Sequence, residues 1–374
     1  MESNNKEKEI FVPKKWDDAL DYEKIECKFY DGHDDSKFKL LGTICTEKDK
    51  YSRFNQKDLN DFLPVNENLR WIGLNSAGLK LRFKTNSRVI KLNVRENGNW
   101  EIYNMTFYSQ NGFDLYYFDE KSNKWIYHAS STPEYYDKRA YKSTIGRFHN
   151  KKVREFILNF PTYTSVEKLE IGLEKNSYLE AVSYPTDKKI VCYGTSIIQG
   201  GATSRPGLIT TNVLSRLLNK EVINLGFSGN AFLEKVMAEK ISQIEDMELL
   251  IIDPEANAGY DNRLKDNLNQ FIDIIYSKHP DLKIIISNKT YMALDEIYPL
   301  YKRSKKYYDK FLKNVVKNYQ KQGKNIYFMD NYSIFENNYF DKSEYTVDGC
   351  HPNDLGMTLL TDNYLKNIKK ILRG

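Results

Sequence analysis

Two kinds of hydrophobic pattern divide the chain. In the first half, apolar positions alternate with polar ones. Leu79, Leu81 and Phe83 are interleaved with Lys80, Arg82 and Lys84. After Thr85-Asn86-Ser87 the alternation resumes, with Ile90, Leu92 and Val94 against Lys91, Asn93 and Arg95. Leu169, Ile171 and Leu173 repeat it against Glu170, Gly172 and Glu174. A period of two, broken by turn residues, predicts an antiparallel β-sandwich. Residues up to about 185 therefore read as strands and turns.

From about residue 188 the pattern changes to short, unalternated apolar runs at Lys189–Tyr193, Glu221–Leu225, Leu249–Ile252, Leu282–Ile286 and Ile326–Met329. Helical stretches lie between and after them. One carries Leu264, Leu268, Phe271, Ile272 and Ile275; a second carries Tyr307, Phe311, Val315 and Tyr319; the last carries Leu359, Leu360, Tyr364, Ile368 and Leu372. Fully apolar strands alternating with helices predict a parallel sheet covered on both faces. The expected division is a β-sandwich domain at 1–185 and an α/β domain at 186–374, joined at Ser183-Tyr184-Pro185-Thr186-Asp187.

The 374 residues suit two domains, and 40% apolar content suffices for two cores. The net charge is only +5, with both signs well mixed, which speaks against nucleic acid as a partner. Cys27, Cys45, Cys192 and Cys350 have neither disulfide-framework nor CxxC spacing, and no metal or other cofactor is expected. Met1 to Trp16 lacks an apolar leader and no run reaches membrane-spanning length. The expectation is a cytoplasmic protein with no membrane partner, or a secreted one if the natural chain carries a leader.

Candidate chemistry gathers where such a sheet binds ligands, at the carboxyl ends of its strands. Ser196 in Gly194-Thr195-Ser196 follows the first strand of the α/β half, near a helix N-terminus with free N–H groups. Gly226 and Gly229, in Asn224-Leu225-Gly226-Phe227-Ser228-Gly229-Asn230, follow the second strand, and Asn257 follows the third. Asp348 and His351, in Asp348-Gly349-Cys350-His351-Pro352, follow the fifth. Of the five histidines, only His351 combines a strand's carboxyl end with a nearby acid; His33, His128, His149 and His279 do not. A serine needs a base to become a nucleophile, and the base needs an orienting carboxylate. The expected roles are Ser196 as nucleophile, His351 as base and Asp348 as its orienter. The N–H groups of Ser196 and Gly229 and the Asn257 amide are the candidate oxyanion hole, with Gly226 serving the turn.

These blocks, in this order, resemble the SGNH (GDSL-like) hydrolase family over residues 188–374. Thr195 stands where the family usually carries aspartate, and Asp253-Pro254-Glu255-Ala256-Asn257 departs from its Gly-x-Asn-Asp block. Gly112-Phe113-Asp114-Leu115-Tyr116 is similar to the Gly-x-Asp-Leu-Tyr signature of a domain preceding certain SGNH esterases. The resemblance implies a flavodoxin-like three-layer α/β/α domain behind a jelly-roll-like sandwich. It also implies a serine esterase acting on a small-molecule or oligosaccharide ester, most simply an O-acetylated carbohydrate. An acyltransferase acting on a sugar, an esterase or lipase for a small ester or lipid, and a non-catalytic carbohydrate-binding protein remain as alternatives. Trp71 and the tyrosines around Gly112–Tyr117 suggest that the first domain is an integral partner of the catalytic sheet.

Overall fold

The computed structural model describes residues 22, 24–97, 102–132, 134–137, 139–336 and 338–373. The expectation made on Met1–Trp16 lies outside them. The first half forms two antiparallel sheets. One orders its strands Cys27–Asp31, Ser165–Glu174, Val89–Asn97, Ala140–Arg147 and Glu134–Asp137. The other runs Leu179–Ala181, Lys80–Thr85, Arg154–Asn159, Asp114–Asp119 and Lys124–Ser130, with Lys39–Leu41 also pairing with Lys80–Thr85. Their inner faces share one core that includes Leu81, Phe83, Leu92, Val94, Leu169 and Ile171. This is the antiparallel sandwich that the period-two runs predict, jelly-roll-like as the resemblance implies.

The second half is a five-stranded parallel sheet in the order Glu221–Gly226, Lys189–Gly194, Met247–Asp253, Lys283–Ser287 and Ile326–Met329. Successive residues of one strand feed opposite cores. Val191 and Tyr193 pack toward the helices Arg263–Lys278 and Pro299–Lys321, while Ile190 and Cys192 pack toward Thr210–Leu218 and Asp354–Arg373. Two-sided burial explains why these strands read as continuous apolar runs. The result is a flavodoxin-like three-layer α/β/α domain.

The structure departs from the sequence reading in three places. First, the β-rich half contains the short helices Gln56–Phe62, Glu67–Gly73 and Phe107–Asn111. Seven residues or fewer carry too few apolar positions to display a period of 3.6. Phe54, Leu59, Phe62 and Leu69, all under 3% exposed, join the α/β core beside Tyr193, Leu225 and Phe227. Each such side chain contributes about 1.5–3 kcal/mol by leaving water. Trp71, by contrast, is 48% exposed and takes no place in that contact.

Second, the helix Pro299–Lys321 buries Tyr308, Leu312, Val315, Val316 and Tyr319, leaving Tyr307 exposed. A run spaced strictly by four residues drifts about 40° around a helix at each step, so Tyr307 and Val315 cannot share a narrow stripe. Third, Lys80 and Arg82, which alternation would turn to water, are 1% and 5% exposed. They sit under the interdomain seam.

The Gly-x-Asp-Leu-Tyr segment has a physical role in that seam. The fully buried Asp114 carboxylate accepts from Arg205 Nη1 at 2.9 Å, Gly207 N–H at 2.7 Å and Asn159 Nδ2 at 2.7 Å. Tyr116 Oη accepts from Arg205 Nη1 at 2.5 Å. A Cβ on Gly207 would fall 2.4 Å from the Asp114 carboxylate, so only glycine lets the loop close there. The sandwich thus grips the segment that follows Ser196.

Candidate active site

Ser196 opens the four-residue helix Ser196–Gln199 directly after the strand Lys189–Gly194. Thr195 is its N-cap, its hydroxyl accepting from Ile197 N–H. A threonine in place of aspartate therefore keeps the capping function. A Cβ on Gly194 would meet Asp253 O at 2.7 Å, and one on Gly226 would meet Gln199 N at 2.1 Å. These two glycines let the short helix press onto its neighbouring strands.

Ser196 is 8% exposed, and its Oγ lies 2.9 Å from His351 Nε2. His351 Nδ1 lies 2.8 Å from Asp348 Oδ2. The other carboxylate oxygen, Oδ1, accepts from the N–H groups of His351 at 2.8 Å and Cys350 at 3.0 Å. Gly349, at φ +81°, allows the turn that makes this possible, and its carbonyl accepts from Ala293 N–H at 2.8 Å. With the carboxylate facing Nδ1, the network assigns the proton to Nδ1 and leaves Nε2 to accept from the serine hydroxyl. Burial alone would raise the Asp348 pKa. The His351 N–H, the Asn104 amide and the imidazole outweigh it and hold the acid at about 2.

Gly229 takes φ +68°, and a Cβ there would meet nothing within 4 Å, so backbone conformation and not crowding requires glycine. None of the described hydrogen bonds uses its N–H. Gly226 N–H, in contrast, is taken by Asn224 Oδ1 at 2.9 Å, and Ser228 N–H by Gln199 Oε1 at 3.0 Å. Asn257 lies on the short helix Glu255–Ala258, and its Oδ1 accepts from Ala231 N–H at 3.1 Å. That bond fixes the amide and leaves Nδ2 as the outward donor, with no partner among the described contacts. Ser196, Gly229, Asn257, Asp348 and His351 thus gather at one sheet edge.

Three participants carried no signal in the sequence reading. Asn104, from the sandwich half, donates through Nδ2 to Asp348 Oδ2 at 2.8 Å and lies 3.3 Å from His351 Nδ1. Arg53, fully buried, donates from Nη1 to Gly226 O at 2.7 Å and from Nε to Asn75 O at 3.0 Å, and its Nη2 reaches Ile72 O. Gln199 Nε2 donates to Asn75 Oδ1 at 3.1 Å and Thr162 O at 3.2 Å while its carbonyl holds Ser228. The glycine-block loop is therefore pinned from the other domain. The contacts that join the two halves span 37 to 247 residues, so no local motif could have exposed them.

Comparisons with known proteins agree with this architecture. Residues 187–369 match the model of the GDSL-like lipase/acylhydrolase family, and residues 27–179 match the N-terminal domain of esterases of the SGNH hydrolase type. No curated protein matches the sequence. A GDSL-like lipase structure from Bacteroides ovatus is 28% identical, with a TM-score of 0.83 over 93% of this chain and 98% of that one. The salicylyl-acyltransferase SsfX3 of a tetracycline biosynthetic pathway is 16% identical, with a TM-score of 0.71 over 92% and 97%. An acetyl xylan esterase from the rumen bacterium Butyrivibrio proteoclasticus shares the fold at 10% identity, with a TM-score of 0.56 over 92% and 99%. The chain belongs to the GDSL-like (SGNH) hydrolases, as an esterase domain preceded by the family's GxDLY N-terminal domain.

Proposed function

We propose that this esterase removes O-acetyl groups from a carbohydrate through an acyl-serine intermediate. The observation that carries the proposal is the continuous chain from Ser196 Oγ through His351 to Asp348, at 2.9 and 2.8 Å. Ser196 Oγ attacks the ester carbonyl while His351 Nε2 takes its proton. The oxyanion is held by the N–H groups of Ser196 and Gly229 and by Asn257 Nδ2, each such donor being worth about 3 kcal/mol in the transition state. The imidazolium then protonates the leaving alcohol, and the acyl group stays on Ser196. Water, deprotonated by the same imidazole, releases the acid and restores the serine. Asp348 keeps Nδ1 protonated throughout and does not itself take the proton.

Support for the carbohydrate comes from the acetyl xylan esterase among the similar folds. Support for a second reading comes from SsfX3, an acyltransferase whose fold matches more closely than that esterase's. In that reading an acceptor hydroxyl replaces water in the second step. The deciding experiment incubates the enzyme with acetylated xylo-oligosaccharides, with and without an added acceptor alcohol. Hydrolysis predicts free acetate in both cases. Acetate that appears only as an ester of the acceptor would establish transfer. No deacetylation of any saccharide, with small activated esters still cleaved, would overturn the carbohydrate assignment.

A further inference from the structure

The interdomain seam holds three clustered basic side chains, Lys80, Arg82 and Arg216, whose buried donors are only partly satisfied. The Arg82 guanidinium lies between the rings of Tyr184 and Trp125, 4.5 and 5.6 Å from their centroids, and its Nε donates to Glu155 Oε1 at 2.5 Å. Arg216 lies 3.9 Å above the Tyr116 ring and donates through Nη2 to Gly207 O at 2.7 Å. In both guanidinium groups Nη1 is buried without a hydrogen-bond partner, and so is Nζ of the neighbouring Lys80. Burial pushes the Lys80 ammonium down to about 7, and the charge of Glu221 offsets only part of that. Glu221 is itself bonded to Gly42 N–H at 2.6 Å. Unpaired buried donors on charged groups are costly, and an oxyanion is the species that removes the cost.

A groove of about 620 Å³ opens at this point, lined by Arg82, Tyr116, Trp125, Glu155 and Arg216 among others. Its volume lies within the range of small-molecule sites. Guanidinium forks select carboxylate and phosphate oxygens. The half-buried Trp125 ring adds an apolar face against which a sugar ring can lie. We propose that this groove binds an acidic sugar, its oxyanion held by the guanidinium groups of Arg216 and Arg82 that line it and its ring laid on Trp125. The oxyanion is the carboxylate of a uronic acid or the phosphate of a sugar ester, since the same donors accept both. Arg216 ends the helix that leads into the strand Glu221–Gly226, so the groove lies at the amino edge of the parallel sheet. Ser196 lies at the carboxyl edge. The site would therefore tether a ligand, not transform it, and it does not rest on the esterase reading.

The test is titration calorimetry on the full chain at low salt, with digalacturonate, glucose 6-phosphate, inorganic phosphate and cellobiose. At least one acidic sugar should bind ten times or more tighter than cellobiose and inorganic phosphate, and which one does so identifies the oxyanion. Arg216→Gln and Trp125→Ala should each weaken that binding at least tenfold and leave the rate on a small activated ester unchanged. Trp125 sits on a surface hairpin, so its variant keeps the test valid if Arg216→Gln melts. The proposal is overturned if no acidic sugar binds at millimolar concentration, if cellobiose or bare phosphate binds equally well, or if the Trp125 variant binds as the parent does.

Discussion

The two halves of the molecule contribute to one site in different ways. The α/β domain supplies the candidate groups Ser196, Gly229 and Asn257, each within a few residues of a strand's carboxyl end, and Asp348 and His351, which follow the last strand through the two short 3-10 helices Ser333–Phe335 and Lys342–Tyr345. The sandwich half supplies none of these groups. It supplies Arg53, which donates to Gly226 O, Asn75, which accepts from the Gln199 amide that holds Ser228, and Asn104, which donates to Asp348. In this division each candidate catalytic group sits in its own short motif, and contacts that hold those motifs come from across the domain boundary.

Ser196→Ala should produce the largest effect, a loss of roughly 10⁵-fold or more in kcat with the melting temperature preserved. Adding His351→Ala should cost little further, because the groups act as a unit; additive losses would separate their roles.

On the supporting side, a chain of residues 186–374 alone should be insoluble or nearly inactive. It would lose Phe54, Leu59, Phe62 and Leu69 from its own core. Full solubility with an unchanged rate on a small activated ester would show the sandwich to be dispensable. Arg53→Met should act in the same direction with a single side chain. It leaves the carbonyls of Gly226, Asn75 and Ile72 without their buried donor and should cost about 3 kcal/mol or more, measured by denaturant unfolding.

Asn257→Ala should lower kcat by roughly 100-fold with little change in KM. A change in KM alone would make Asn257 a binding residue. Asn104→Ala should lower kcat by about tenfold, because Asp348 keeps the bonds to its own turn and loses only one donor. Rescue by Asn104→Gln would point to the amide itself and not to loop packing.

A neighbouring acid governs the pH dependence of stability and not the rate. Burial pushes the Glu255 carboxyl up to about 8, with the Lys289 N–H and ammonium opposing it. Folded Glu255 thus keeps a proton that the unfolded chain releases above its ordinary pKa near 4.5. The unfolded state then binds fewer protons, so stability falls as pH rises from about 4.5 to 8. Glu255→Gln should flatten that slope in thermal melts and raise the melting temperature at pH 8 relative to the parent. An unchanged slope would place the titration elsewhere.

The same comparison explains what the sequence revealed. The parallel sheet was legible because strands buried on both faces leave continuous apolar runs. The site blocks were legible because turns at strand ends need glycine beside the reactive group, as at Gly194 and Gly349. Arg53 and Asn104 were not legible, because their partners lie 173 and 244 residues away. Lys80 and Arg82 misled for a related reason: period two marks which residues share a face, but not whether another domain covers that face. The helices Gln56–Phe62 and Glu67–Gly73 were missed because their burial comes from the α/β core and not from their own half.

The proposed mechanism requires Ser196 Oγ to take up the acyl group in a covalent intermediate. The direct measurement is intact-protein and peptide mass spectrometry after rapid mixing with an activated acetyl ester and acid quench. The account predicts one added acetyl group, located on the peptide that contains Ser196 and absent from Ser196→Ala. An acetyl group on another residue, or undiminished turnover by Ser196→Ala, would contradict it.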